Sequence, residues 1–331
     1  MSQYTMPHFL LTGAGFSRNR GGWLASEVVE YLLGCREISD DLRQSLWEDR
    51  ARGLGFEDTL SRLQQQAVLG SDRGKKQLVA LQTCISDMFD VINGGLRATP
   101  FEASNLRKFS VAAFLTRFDA IFTVNQDWLL ETHYLNENVS LLSDGRWTGF
   151  QIPGVSIHRS GFGSPPISVS VPTDWRSEPS VSAGQQSFLK LQGSSNWHYD
   201  REDAAELLIM GGHKLDNIRQ HPILNWYFEK SAEYLLRPST RLMVIGYGFG
   251  DSHINAAIVE AVARGGLRLF LVEPAGANVV DKRDPRAQLQ PRNELELSLR
   301  PGIIGASRRS IRTTFGGDEV EFAKLMRFFE P

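Results

Sequence analysis

Three short segments place glycines, polar side chains or both directly after apolar runs. Gly13 to Ser17 follows the run Phe9 to Thr12, and Thr123 to Asp127 and Ile245 to Asp251 end two later runs. Small residues allow the backbone to approach a phosphate, and a helix that begins after such a turn points the positive end of its dipole at the negative charge. The three segments therefore predict a nucleotide site built where strands end.

Single side chains in and near these segments have a ligand-binding and a structural interpretation. Ser17 can donate its hydroxyl to a phosphate oxygen, although a glycine turn also simply lets a helix pack on a strand. Asn125 can hold a ribose hydroxyl and a water, and Asp127 can accept from an amide. Both also suit the start of a helix. Glu273 is placed like the acidic residue that binds ribose in dinucleotide folds, or it is a surface carboxylate before Pro274.

The bulk composition is that of a globular enzyme. The 331 residues are 41% hydrophobic and 22% charged with a net charge of −2, so no overall field attracts nucleic acid or an anionic membrane. Only Cys35 and Cys84 are present, which argues against a disulfide framework and a cysteine zinc site, and we expect no metal. The first residues lack a signal-peptide pattern, and no apolar run could span a bilayer, so we expect a cytoplasmic protein.

The elements that must position these residues follow from the apolar runs. Several runs are apolar at successive positions, as in central strands of a parallel sheet covered on both faces. Segments with helical spacing separate them, which predicts an α/β fold with a doubly wound, parallel, Rossmann-like sheet. The predicted strands are Phe9 to Thr12, Ala120 to Val124, Phe188 to Leu191, Leu242 to Gly246 and Leu267 to Val272.

Two insertions interrupt the alternation of strands and helices. Residues 35–108 are too long for one crossover and are predicted to form a helical cap, and residues 141–186 a loop or β insertion over the pocket. Residues 281–331 are predicted to extend the core with a strand at Ser310 to Thr314 and a helix at Glu319 to Phe329. The Rossmann-like core then comprises residues 1–34, 109–140 and 187–280.

Taken together and in this order, the segments resemble the sirtuin superfamily. Gly13 to Ser17 is similar to its GAG-x-S loop, Thr123 to Asp127 to its T-x-N-x-D segment, and Lys190 to Ser194 to its L-H-G-S segment. The sequence from Ile245 to Ile254 most resembles that of bacterial sirtuin-like domains of anti-phage defence systems.

This resemblance implies that the ligand is NAD, bound as a substrate. It implies that Asn125 positions a water and the nicotinamide ribose, and that Asp127 contacts the nicotinamide carboxamide. The remaining predicted binding residues are Gly13, Ala14, Gly15, Ser17, Gln192, Gly246, Tyr247, Gly248, Asp251 and Glu273.

Two departures from the family pattern change the expected chemistry. Protein-deacylating sirtuins carry a four-cysteine zinc module, so two cysteines favour cleavage of NAD itself. Gln192 stands where the family's general-base histidine is expected, and a glutamine cannot take up a proton at neutral pH. His158 and His198 are the candidates to replace that base, and we favour His158 because an insertion over the pocket is free to supply the missing group.

The resemblance therefore predicts an NAD glycohydrolase that acts as an anti-phage effector, activated by a partner or by oligomerisation. We expect a homo-oligomer and, by analogy, an ATPase partner of the HerA type. Two alternatives stay open: a regulatory module that binds NAD or ADP-ribose without turnover, and an enzyme acting on nucleic acid. The second would use Arg308, Arg309 and Arg312, a cluster that we interpret as a solvated face.

Overall fold

The fold is α/β, as the sequence predicts. The computed structural model describes residues 6–135, 139–158, 168–173, 178–200, 206–281 and 293–331. A parallel seven-stranded sheet flanked by helices forms the centre, and a smaller mixed sheet of four strands lies beside it.

The described residues form eleven strands. They are β1 (His8–Thr12), β2 (Ala120–Thr123), β3 (Gly149–Gln151), β4 (Ser156–His158), β5 (Ser168–Val171), β6 (Gln185–Lys190), β7 (Gly193–Tyr199), β8 (Glu206–Leu208), β9 (Arg241–Ile245), β10 (Arg268–Val272) and β11 (Ile303–Ser307).

The central sheet has the strand order β11-β10-β9-β1-β2-β6-β3, and every pairing in it is parallel. Leu10 of β1 and Met243 of β9 are completely buried, because helices cover both faces. All strands of this sheet end at the same edge, which is where ligands bind in open α/β sheets. The five predicted strands are confirmed as β1, β2, β6, β9 and β10.

Fourteen α-helices pack around the sheets within the described ranges. They are α1 (Ala14–Arg18), α2 (Ala25–Leu33), α3 (Asp40–Ala51), α4 (Phe56–Val68), α5 (Asp72–Ala98), α6 (Val111–Leu115), α7 (Leu129–His133), α8 (Val139–Leu142), α9 (Lys214–Gln220), α10 (Pro222–Leu235), α11 (Ser252–Glu260), α12 (Glu294–Leu299), α13 (Ile311–Thr314) and α14 (Glu319–Met326). None of these helices combines the length and the apolarity needed to cross a membrane.

Residues 35–108 form three helices, α3 to α5, which we call the cap. The hydroxyls of Ser39 and Ser71 accept hydrogen bonds from the backbone at the starts of α3 and α5. The inner face of α5 buries apolar side chains such as Leu81 and Met88. Asn93 on α5 accepts a hydrogen bond from the backbone of Trp128, so the cap is tied to the loop that follows β2.

The second insertion contributes strands to both sheets. β3 pairs with β6 at the edge of the central sheet, whereas β4 and β5 join β7 and β8 in the order β4-β5-β7-β8. The chain passes directly from β6 to β7 at Gln192 and Gly193. Gly193 has φ +74°, and a Cβ there would lie 2.0 Å from the carbonyl oxygen of Leu207, so only glycine fits this junction.

The strand predicted at Ser310 to Thr314 is wrong. The edge strand is β11, which ends three residues before Ser310. The Ser310 hydroxyl accepts a hydrogen bond from the Thr313 backbone and starts α13, so capping prevails over the β-branched composition that suggested a strand. The final helix is confirmed as α14.

Candidate functional site

A cavity of about 1540 Å³ lies where the strands of the central sheet end. It is lined by the turns that follow β1, β2, β9 and β10, by Gln192 after β6, and by residues of the cap. Ten residues of the predicted site line it: Ala14, Gly15, Asn125, Asp127, Gln192, Gly246, Tyr247, Gly248, Asp251 and Glu273.

The first and third glycine segments pack directly against each other. A Cβ on Gly13 would lie 2.6 Å from the carbonyl oxygen of Gly246, and a Cβ on Gly15 would lie 2.7 Å from its Cα. Gly246 has φ +66°, and a Cβ on it would lie 2.2 Å from the Phe16 nitrogen. These three glycines are therefore required by the contact between the two turns, whatever ligand the cavity takes.

The end of the third segment is open to the cavity instead. No heavy atom lies within 4 Å of a Cβ built on Gly248 or Gly250, and both residues line the cavity. The neighbouring Tyr247 is buried, and its hydroxyl lies 3.1 Å from Asn255 Oδ1. Burial raises the pKa of Tyr247. The open backbone at Gly248 and Gly250 is thus the part of this segment that a ligand can approach closely.

Asn125 is held in one orientation by the first segment. Its Nδ2 donates to the Gly13 carbonyl oxygen at 3.0 Å and to Ser17 Oγ at 3.0 Å. Its backbone N–H donates to Thr123 Oγ1. Because Nδ2 has two protons and both are used, Oδ1 is the part of the carboxamide that can bind a ligand or a water.

Ser17 and Gly13 support Asn125 and do not themselves line the cavity. Only 2% of Ser17 is exposed, so its hydroxyl serves Asn125 rather than a solvent-facing phosphate. The sequence could not distinguish these two partners of the hydroxyl.

Asp127 is fixed by its neighbours on both sides. Its Oδ1 accepts from the Leu129 backbone at 3.0 Å, the helix-starting role considered from the sequence. Its carbonyl oxygen accepts from Lys190 Nζ, which also forms an ion pair of 2.5 Å with Glu131. The Lys190 and Glu131 side chains are each 1% exposed. Burial raises the pKa of Glu131, and Lys190 acts in the opposite direction.

Gln192 is a buried amide at the junction of the two sheets. It is 3% exposed and lines the cavity, and within the described ranges its Nε2 has no hydrogen-bond partner. A buried N–H donor without an acceptor is costly, at roughly 1–3 kcal/mol. The position of Gln192 therefore fits a ligand that brings an acceptor, such as a hydroxyl oxygen.

Comparison with known families agrees with this geometry. The model of a family described as a SIR2-like domain matches residues 119–296, which is more than half of the chain. The chain belongs to the SIR2-like family. The matched range includes Asn125, Gln192 and Gly246, whereas Gly13 to Ser17 and the cap precede it. A comparison with curated proteins gave no match.

SIR2-like domains bind NAD, and the cavity of this SIR2-like chain fits such a ligand. Its volume of about 1540 Å³ exceeds the roughly 300–1,000 Å³ of common small-molecule sites, so it has room for an extended dinucleotide. Gln192 Nε2, which has no partner among the described residues, offers a polar contact, and the backbone at Gly248 leaves room for close approach. Family membership thus supports an activity that involves NAD.

The structure does not bring the two candidate histidines of the SIR2-like chain to this cavity. His158 is exposed at the end of β4, and His198 is half-buried in β7. Neither lines the cavity, since both belong to the second sheet. The role of His158 as a base stays a prediction.

His253 lines the cavity, and the sequence analysis did not assign it a role. It is 7% exposed, and its Nε2 has no partner among the described residues. Its pKa is lowered by burial, and Lys214 lowers it further against the opposing effect of Asp251. The signal available in the sequence was that His253 lies two residues after the third segment, within the family-like stretch Ile245 to Ile254.

Lys214 joins three elements at the cavity wall. Its Nζ lies 2.7 Å from Glu57 Oε2 on the cap and 2.9 Å from Asp251 Oδ1 at the start of α11. Burial alone would lower the pKa of Lys214, but the combined effect of the two carboxylates is larger, so the pKa is raised overall. No pattern in the sequence connects Glu57, Lys214 and Asp251, because the fold alone brings them together.

Arg308, Arg309 and Arg312 also line the cavity of the SIR2-like chain. They are exposed, which agrees with a solvated face, but the sequence did not indicate that they lie at the cavity. Because a strand was predicted at Ser310 to Thr314, there was no reason in the sequence to place these arginines at the cavity. In the structure β11 pairs with β10 and ends just before Arg308, so the arginines lie at the edge of the sheet where ligands bind.

Proposed function

We propose that this SIR2-like chain is an NAD glycohydrolase, which converts NAD and water to nicotinamide and ADP-ribose. The geometry of Asn125 is the observation that supports this most. Its carboxamide is fixed at the ligand edge by Gly13 and Ser17, and only Oδ1 is left to orient a water or a ribose hydroxyl. Holding a reactant in one orientation removes much of the entropic barrier to its reaction.

The proposed reaction breaks the bond between C1′ of the ribose and the nicotinamide nitrogen. The water oxygen bonds to C1′, nicotinamide leaves as a neutral molecule, and one proton is released. Because the leaving group needs no proton, fixed dipoles at the site can supply much of the rate. Gln192, whose Nε2 has no acceptor within the described ranges, would donate to a hydroxyl oxygen of the substrate.

The test is nicotinamide release from NAD by the purified full chain, measured by chromatography, alone and with the product of the neighbouring gene. We expect Asn125→Ala to lower the rate by about a hundredfold or more, as for loss of one oriented polar group in other enzymes. Asn105→Ala, on an exposed loop, is the matched control. Unchanged release in Asn125→Ala would disprove the site, and no release under either condition would disprove the enzyme.

The same assay examines the base. His158→Ala tests the sequence prediction, and His253→Ala tests the histidine that lines the cavity. A rate that falls only in His158→Ala would support the prediction, and a rate that falls only in His253→Ala would contradict it.

The second candidate function is a regulatory module that holds NAD or ADP-ribose without turnover. Gln192 favours it, because an amide cannot take a proton from water. Calorimetric binding of ADP-ribose without any nicotinamide release would select this alternative.

We also propose that the chain acts in anti-phage defence and is switched on by a partner, such as an ATPase of the HerA type, or by self-association. The resemblance of Ile245 to Ile254 to defence-associated domains supports this. Light scattering would measure the oligomer, and plaque counts would compare cells carrying the wild-type chain with cells carrying Asn125→Ala. Equal plaque counts in the two would contradict the defence role.

A further inference from the structure

Arg308, Arg309 and Arg312, here called the arginine cluster, are positively charged side chains at the cavity without a neutralising partner. Arg308 and Arg309 follow β11, and Arg312 lies in the first turn of α13. Within the described part of the chain, no carboxylate forms an ion pair with any of them. Three positive charges on one wall of the cavity are an arrangement that a bound anion would stabilise.

The sheet places the cluster at a defined end of the cavity. Val272 of β10 pairs with Ser307 of β11, and the Glu273 backbone N–H donates to the Ser307 carbonyl oxygen at 3.0 Å. Glu273 and Arg308 therefore follow neighbouring strands side by side. Asn125 and Gln192 follow β2 and β6, on the other side of β1 and β9.

Hydrogen bonds tie the cluster to the first glycine segment. Asn19 Nδ2 donates to the Gly15 carbonyl oxygen at 2.7 Å, and Asn19 Oδ1 accepts from the Arg312 backbone at 3.4 Å. The backbone of Arg309 donates to Ser307 Oγ at 3.2 Å. One asparagine thus joins the turn after β1 to the start of α13, so the backbone of the cluster has a fixed place relative to the turn.

Contacts also guide the Arg308 side chain. A Cβ on Gly276 would lie 3.0 Å from Arg308 Cγ and 3.1 Å from its Nε, so the stem of Arg308 passes directly over Gly276. Gly276 has φ +59°, and any larger residue would displace the arginine. All three arginines are exposed and line the main cavity, and Arg308 and Arg309 also line a smaller cavity beside it with Gly276 and Glu321.

We propose that the arginine cluster is a subsite for an additional phosphate on the adenosine half of an NAD-type ligand, as in a 2′-phosphorylated dinucleotide. This inference rests on the proposed function, because Asn125 then holds the nicotinamide half and the opposite end receives the adenosine. Guanidinium groups bind phosphate with paired, charge-assisted hydrogen bonds. In dinucleotide folds an arginine near the ribose accommodates such a phosphate, whereas an acidic residue alone selects the free hydroxyl.

The test compares 2′-phospho-ADP-ribose with ADP-ribose by calorimetry on the full chain. We expect the wild type to bind the phosphorylated ligand about tenfold more tightly or better, as for one charge-assisted contact. Combined Arg308→Ala, Arg309→Ala and Arg312→Ala should abolish this preference and leave ADP-ribose affinity within about threefold. Lys75→Ala, Lys76→Ala and Arg97→Ala together remove the same charge from α5, away from the cavity, and should keep the preference.

The outcomes separate the two proposals. If the wild type binds both ligands equally, the phosphate subsite is wrong and the glycohydrolase proposal stands. If it binds neither, the subsite is wrong, and nicotinamide release from NAD decides the glycohydrolase proposal separately. A preference that survives in the cluster variant, or disappears equally in the α5 variant, also overturns the subsite. If the wild type shows no preference and a single-stranded oligonucleotide binds it but not the cluster variant, the arginines serve nucleic acid and the subsite is wrong.

Discussion

The two ends of the cavity are built from different kinds of side chain. At one end, here called the amide end, Asn125 and Gln192 are carboxamides held by hydrogen bonds or burial. At the other, the arginine end, Glu273 lies beside the exposed arginine cluster. The amide end has almost no freedom to move, whereas the arginine end has free charges on long side chains.

This difference indicates that the two ends of the cavity have different functions. Oriented dipoles in a buried site act strongly and need no rearrangement during a reaction, so the amide end is suited to chemistry. Exposed charges are screened by salt and contribute mainly to recognition and association. Substitutions at the amide end should therefore change stability and turnover, and those at the arginine end should change affinity.

The largest effect is expected from removing the buried cation next to the amide end. Lys190→Met leaves Glu131 buried without its partner, and we expect the free energy of unfolding to fall by about 3–5 kcal/mol. Urea denaturation would measure it. Lys190→Met combined with Glu131→Leu should recover much of the loss, and Arg309→Ala at the arginine end should change stability by less than about 0.5 kcal/mol. A mild effect of Lys190→Met alone would contradict the buried ion pair.

The second largest effect is expected where the glycine turn after β1 packs against the glycine turn after β9, between the two ends of the cavity. Gly246→Ala places a Cβ 2.2 Å from the Phe16 nitrogen at φ +66°, so we expect a loss of about 3 kcal/mol or more. Gly248→Ala is the matched control, because a Cβ there meets no atom within 4 Å and should cost less than about 1 kcal/mol. Thermal unfolding of both variants would measure this, and equal melting temperatures would refute the packing argument.

Much of the fold could be predicted from the sequence because the signals are local. Phe9 to Leu11 and Leu242 to Ile245 are apolar at every position, as in strands that are covered on both faces. Asn125 could be placed at the ligand edge for the same reason, since the apolar run of β2 ends just before it. The strand at Ser310 to Thr314 was wrong because one capping hydroxyl determines the structure there.

The rest of the site depends on contacts that no local pattern records. Glu57, Lys214 and Asp251 meet although they are far apart in sequence, and the arginine cluster reaches the cavity only because β11 pairs with β10. His158 could be assigned only by supposing where an insertion folds, and β4 places it in the second sheet. Long-range pairing, rather than residue type, decides these positions.

Ser17 supports the amide end without facing the ligand, so its substitution tests how far turnover depends on the orientation of Asn125. Ser17→Ala removes one of the two acceptors of Asn125 Nδ2, so that the Gly13 carbonyl oxygen alone orients the carboxamide. We expect kcat for nicotinamide release to fall by about tenfold with little change in KM, and stability to fall by about 1–2 kcal/mol. Ser26→Ala, on the exposed start of α2, is the control. A change confined to KM would mean that Ser17 serves binding instead.

The smallest effect concerns His253, which lies near Asp251 and Lys214 and packs against the ring of Phe228. Its pKa in the folded chain is lowered, chiefly by burial, from an ordinary value near 6.5. The unfolded chain then binds more protons below that value, so this contribution to stability is complete above about pH 6.5 and is lost as the pH falls toward the folded pKa, by at most about 1.4 kcal/mol per pH unit. His8 and His221 have lowered pKa values too and act in the same direction.

We therefore expect His253→Gln to lose less stability than the wild type between pH 7 and about pH 5, as measured by urea denaturation at both values. Identical losses in the two proteins would show that the imidazole is not held neutral by its burial beside the cavity.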